Sequence, residues 1–167
     1  MSLPARIDVF DFAARGQSLA GAAAVAELPR LMLSLREPAG DLEYRYQGQT
    51  DAQRRPAGRL SLHGRVLLTC DRCNQALAHE LGGESSFFFV HDEDELQALP
   101  LDPEADSEPL LGSRSFDLAA LLEDEAILAL PMSPRHAQCP NTAGDAAATP
   151  TGRVQAFAEL ARLKRKG

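Results

Sequence analysis

The chain has 167 residues, 44% apolar and 25% charged, so it is long and hydrophobic enough to bury a core as one domain of ordinary size. Aromatic residues make up 5% and tryptophan is absent, which argues against a broad base-stacking platform, although Phe87, Phe88 and Phe89 stand together. The net charge of −7 is unevenly placed: residues 1–91 balance ten basic against ten acidic side chains, residues 92–125 set twelve acids against Arg114 alone, and residues 126–167 carry six basic and two acidic ones.

In chain order, Arg6 to Phe12 alternates loosely and predicts a short first strand. Phe12 to Leu28 is alanine-rich and predicts a helix, with Gly16 and Gly21 opposing it. Leu31 to Arg36 and Leu42 to Tyr46 read as strand pieces separated by Pro38, Ala39 and Gly40. Arg59 to Cys70 is the clearest strand, with Leu60, Leu62, Val66 and Leu68 on one face and Arg59, Ser61, His63 and Arg65 on the other. Cys70 continues the apolar face. A tight turn through Asp71, Arg72 and Cys73 then lets Ala76 to Leu81 return antiparallel, followed by Phe87 to Val90.

Residues 92–109 are acidic and broken by Pro100, Pro103 and Pro109, and read as an exposed loop. A helix follows, capped by Asp117 or Ser115 and stopped by Pro131. At about 100° per residue, Leu118, Leu121, Leu122, Leu128 and Ala129 share one side, with Asp124 outside it and Glu125 near its middle. A carboxylate there needs a wet edge or a cation, with Arg72, Arg135 and His136 as candidate partners. If Ile127 and Leu130 mark the core face instead, Glu125 looks outward. The expected fold is α+β: an antiparallel sheet or partial β-barrel with packed helices over residues 1–139. A flexible linker then covers 140–153, and a basic amphipathic helix or tail covers 154–167.

Cys70 and Cys73 spell C-x2-C, and His136 and Cys139 spell H-x2-C. Two close-spaced pairs of soft or borderline donors suit a tetrahedral structural zinc site, one pair held by a hairpin and the other by a loop. Thiols packed as small hydrophobes beside a turn are the alternative. A redox role fits less well, because such a motif normally opens a helix and this one ends a strand. Three cysteines, an odd number, close no disulfide framework. With no secretory pattern over Met1 to Phe10 and no apolar run near the roughly 20 residues of a membrane span, a cytoplasmic chain with reduced thiols is expected. His63, His79 and His91 are isolated. Nucleophile elbows, phosphate-cradling glycine loops and paired catalytic carboxylates are not found, so no catalytic residue is assigned.

Cys-Asp-Arg-Cys at 70–73, the segment from Asp117 through Glu123, Asp124, Glu125, Pro131 and His136 to Cys139, and the basic run at the end together resemble the YceD family of large ribosomal RNA subunit accumulation proteins. The resemblance implies a cytoplasmic, non-enzymatic factor in the synthesis, processing or stability of 23S ribosomal RNA. Its partner would be large-subunit ribosomal RNA or a pre-ribosomal particle. Arg162, Lys164, Arg165 and Lys166 are the expected RNA contacts, through phosphates. Arg72, Glu123, Asp124 and Glu125 are expected to be structural or partner-binding, and the acidic block is a surface for a basic ribosomal protein. A protein-only adaptor and a thiol or zinc enzyme are the rival readings.

Overall fold

A computed structural model of the chain describes residues 6–100 and 106–140. The first element forms where a carboxylate caps it: Asp8 accepts from the backbone N–H groups of Phe10 and Asp11, at 3.0 and 3.1 Å, and starts helix α1 (Val9–Ala14). The strand expected over Arg6 to Phe12 shrinks to Ile7, which bridges Phe116. Gly16, at φ +59°, takes the left-handed conformation that ends a helix without strain. The chain then enters strand β1 (Ser18–Ala24), which overturns the helix expected from the alanines. Helix preference separates ordinary residues by at most about 0.7 kcal/mol each, and a ladder partner for every residue of β1 outweighs it. Small residues have a use here: a methyl group on Gly21 would come within 3.2 Å of the Tyr44 ring.

A 3-10 turn (Val25–Glu27) leads to helix α2 (Pro29–Met32), where a strand piece is expected from the sequence. Strands β2 (Asp41–Thr50), β3 (Pro56–Thr69) and β4 (Ala76–Val90) then form two hairpins. The two apolar runs after the Cys-Asp-Arg-Cys turn are one continuous strand. Together with β5 (Glu108–Leu111) they make an open sheet in the order β1-β2-β3-β4-β5, antiparallel except that β5 runs parallel to β4. The fold is α+β, on a mixed rather than a wholly antiparallel sheet.

The acidic stretch is not one exposed loop. Asp92 caps helix α3 (Glu93–Ala98), whose first turn holds Glu93, Asp94 and Glu95, where negative charge meets the positive end of the helix dipole. Leu96 and Leu99 pack on Ala57, Phe88 and Val90 to form a small second core. The Arg55 guanidinium, held by Asp51, lies 3.5 Å over the Phe88 ring. Residues 101–105 lie outside the described residues.

The main core joins the other face of the sheet to α1, α2 and helix α4 (Leu118–Leu128), which Asp117 caps by accepting from Ala120 N–H. Leu60, Leu62, Val66 and Leu68 are buried at alternate positions of β3, as their spacing predicts. Each such side chain contributes roughly 1.5–3 kcal/mol relative to an exposed one. The buried arc of α4 runs through Leu118, Leu121, Leu122 and Ala126. That arc keeps Leu118, Leu121 and Leu122 of the predicted stripe but is rotated toward Ala126 and Glu123, so that Leu128 is 75% exposed.

The chain divides into two units, Met1–Arg135 and His136–Gly167, and every helix and strand of the described residues falls in the first. The expected linker beyond residue 140 and the basic segment with Arg162, Lys164, Arg165 and Lys166 lie outside the described residues.

Candidate functional site

The β3–β4 hairpin ends in a tip set by its own backbone. Cys70 N–H donates to Gln75 O at 2.9 Å and Asn74 N–H to Cys70 O at 2.8 Å, with Asn74 in the left-handed region at φ +57°. Asparagine tolerates that conformation better than most residues. Cys70 is buried, Cys73 half-buried and Arg72 exposed. The tip is tied down on two sides. Arg36 Nη1 donates to Asn74 O at 3.2 Å. On the other side Asp71 N–H donates to Pro134 O at 2.9 Å, and Ser133 Oγ to Asp71 Oδ2 at 2.7 Å. Arg135 Nε in turn donates to Ser133 Oγ at 3.1 Å. The segment that follows α4 therefore runs past the thiol-bearing turn.

The ligand atoms of Cys70, Cys73, His136 and Cys139 all lie within 4.8 Å of one another, close enough to hold one metal ion. Three thiols and one imidazole are the donor chemistry of closed, four-coordinate zinc sites, in which neighbouring donors stand about 3.7 Å apart. With all four positions supplied by protein, the set offers no open place for a reacting water, so it suits a structural ion rather than a catalytic one.

The acidic part of α4 does something different from what the helical wheel suggests. Glu123, not Glu125, is the buried carboxylate, at 5% exposure, because α2 covers that side of the helix. Leu28, which precedes α2, has no side-chain acceptor to cap it. Glu123 supplies the cap from across the fold: its Oε1 accepts from Arg30 N–H at 2.6 Å and Leu31 N–H at 3.0 Å, and its Oε2 from Arg30 Nε at 2.8 Å. The Arg30 guanidinium continues to Asp124 Oδ1 at 2.6 Å and Ala120 O at 3.1 Å. Burial pushes the Glu123 carboxyl up, but hydrogen bonds from Leu31 and Arg30 outweigh it and hold the group below its ordinary range. The same two carboxylates push the Arg30 guanidinium up.

Glu125 is half-buried and accepts from the Ser85 hydroxyl of β4, so the contact found for it is a neutral donor and not the expected Arg72 or Arg135. Among the described residues Arg72 makes no ion pair. Sequence reasoning misses Arg30 and Ser85. The one trace of the clasp is negative: a proline-started helical turn with no capping residue before it.

Comparison with known proteins adds one finding. The family model described as large ribosomal RNA subunit accumulation protein YceD matches residues 58–164, more than half of the chain. The matched span holds Cys70, Cys73, His136 and Cys139, the carboxylates at 123–125, and Arg162 and Lys164, and stops short of Arg165 and Lys166. Neither curated proteins nor solved structures give a match.

Proposed function

The chain belongs to the YceD family of large ribosomal RNA subunit accumulation proteins, a membership that carries a general role in ribosome biogenesis, and from it we infer a non-enzymatic factor that acts on large-subunit ribosomal RNA or an early particle containing it. The observation that carries this reading is the span of the family match, which takes in the thiol–imidazole set, the carboxylates of α4 and the start of the basic run. In this reading the chain works in the cytoplasm and supports accumulation of 23S ribosomal RNA. Among the described residues no helix is long and apolar enough to cross a membrane.

Arg162, Lys164, Arg165 and Lys166 are the proposed contact with RNA, and in the sequence they follow a stretch of small and polar residues. Four cations within five residues bind phosphates without reading sequence, so affinity should fall steeply as salt rises. The acid-rich segment, net −11 over residues 92–125, keeps the contact local and offers a surface to a basic ribosomal protein. Cys70, Cys73, His136 and Cys139 are proposed to hold a structural zinc ion. The proximity of their four ligand atoms supports this.

Crosslinking in cells, followed by identification of captured RNA, tests the central reading. Fragments of the large-subunit ribosomal RNA are expected, and their loss on neutralising the four basic residues identifies the contact. Capture of protein alone favours the adaptor. Metal analysis of protein purified without chelators tests the ion: about one zinc per chain is expected, and Cys70→Ser should lose it and melt earlier.

A further inference from the structure

Strand β1 (Ser18–Ala24) forms one border of the sheet, and its free side has a definite chemistry. Gln17 O accepts from Gly48 N–H, and Val25 N–H donates to Gly40 O. Because hydrogen-bonded pairs alternate along an antiparallel ladder, Leu19, Gly21 and Ala23 direct their backbone groups toward β2. Ser18, Ala20, Ala22 and Ala24 direct theirs away from it. Among the described residues nothing accepts from or donates to these outward groups, and Ser18, Ala20 and Ala22 are exposed. An uncovered edge is normally blunted by lysine, proline, a bulge or an inward charge. Ser-Leu-Ala-Gly-Ala-Ala-Ala has none of these.

We propose that β1 pairs antiparallel with β1 of a second copy of this chain, about a twofold axis at Gly21, to give a continuous ten-stranded sheet. In that register Ala20 faces the partner's Ala22 and Ser18 faces the partner's Ala24, so every outward N–H and C=O of both strands finds a mate. The axis passes through Gly21, where the Tyr44 ring of the same chain takes the place of a side chain.

Charge favours a second copy over an unrelated strand. Ala20 lies beside Arg45 and Ala22 beside Glu43 in the β1–β2 register. Across the axis each row therefore reads Arg45, Ala20, the partner's Ala22, the partner's Glu43, and the twofold repeats it with the roles exchanged. Arg45 and the partner's Glu43 stand three strand spacings apart, about 14 Å between backbones. Their extended side chains span that distance above alanines too short to obstruct them. Seven residues a side bury less than the roughly 1,200 Å2 of a standard stable interface, so the dimer is reversible and concentration-dependent.

Sedimentation velocity of the full chain over a wide concentration range tests this. The expected result is a rise toward twice the monomer mass with concentration, and a loss of association of about tenfold or more in Ala22→Pro, which removes an outward N–H and leaves the β1–β2 ladder intact. Circular dichroism and dilute-solution melting of the variant should match those of the wild type. Where the proline disturbs folding, Ala22→Lys decides: its exposed side chain stands beside Glu43 of its own chain, takes up that carboxylate and sets a cation toward the partner's Arg45, and should abolish association. A chain that stays monomeric at every concentration overturns the proposal, whether its edge is covered by other residues or kept for another protein. So does a dimer unmoved by the variant that folds.

Discussion

The tripeptide Glu-Asp-Glu occurs twice, at 93–95 and at 123–125, and the two copies have opposite fates. In α3 all three acids are exposed, and the polar contact among them is local, Glu95 accepting from His91 N–H while its own N–H donates to the Asp92 cap. In α4 the same residues reach two other elements of the fold, α2 and β4. Glu123 caps α2, Asp124 meets Arg30, and Glu125 meets Ser85 of β4. Both copies carry the same three charges on a helix, 93–95 in the first turn of α3 and 123–125 in the middle of α4. The difference lies in the flanks: Leu118, Leu121, Leu122 and Ala126 press α4 into the main core, whereas α3 offers Leu96 and Leu99 to a small one. A carboxylate becomes structural where apolar neighbours bury its helix beside unsatisfied donors.

The sharpest way to break this comparison is to remove one acid from each copy. Glu123→Ala strands the Arg30 and Leu31 N–H groups and is expected to cost about 3 kcal/mol in urea unfolding, while Glu93→Ala should stay within about 0.5 kcal/mol. Equal losses would sink the distinction. Acid titration of unfolding sharpens it. Because Glu123 is held below its ordinary value of 4.5, its contribution is complete above that pH and fades as pH falls through the lowered value. Glu123→Gln should therefore trail the wild type at neutral pH and converge with it in acid; a gap that widens on acidification would contradict the clasp. A smaller effect is expected from Ser85→Ala, about 1 kcal/mol, because it removes one hydrogen bond to a half-buried carboxylate. The smallest concerns Tyr46, whose buried hydroxyl has no partner among the described residues. Tyr46→Phe should be neutral or stabilising by up to about 1 kcal/mol, since it removes a polar group whose burial nothing offsets.

Legibility followed range of interaction. The β3–β4 hairpin was readable because alternation at Leu60, Leu62, Val66 and Leu68 and the Cys-Asp-Arg-Cys turn are local signals, and so was α4, with Asp117 at its start and Pro131 beyond its end. The nearness of Cys70, Cys73, His136 and Cys139 was readable as two spaced pairs, because each pair is a local signal. The rest was hidden by competition between local and distant terms. Alanines that prefer helix became β1 because β2 offered them a ladder. The acids of α3 read as loop because two leucines are a faint apolar signal. Glu123 reads as structural or partner-binding, but its burial and its partners were hidden because Arg30 and Leu31 lie more than ninety residues away.

By itself, then, the order of residues determined the elements whose signals are complete within a dozen positions, the donor set, and the family. Only the folded chain decided which acid is buried, which helix it caps, and which strand is left with an open border. Those outcomes depend on neighbours remote along the backbone, and one-dimensional patterns carry no information about who those neighbours are.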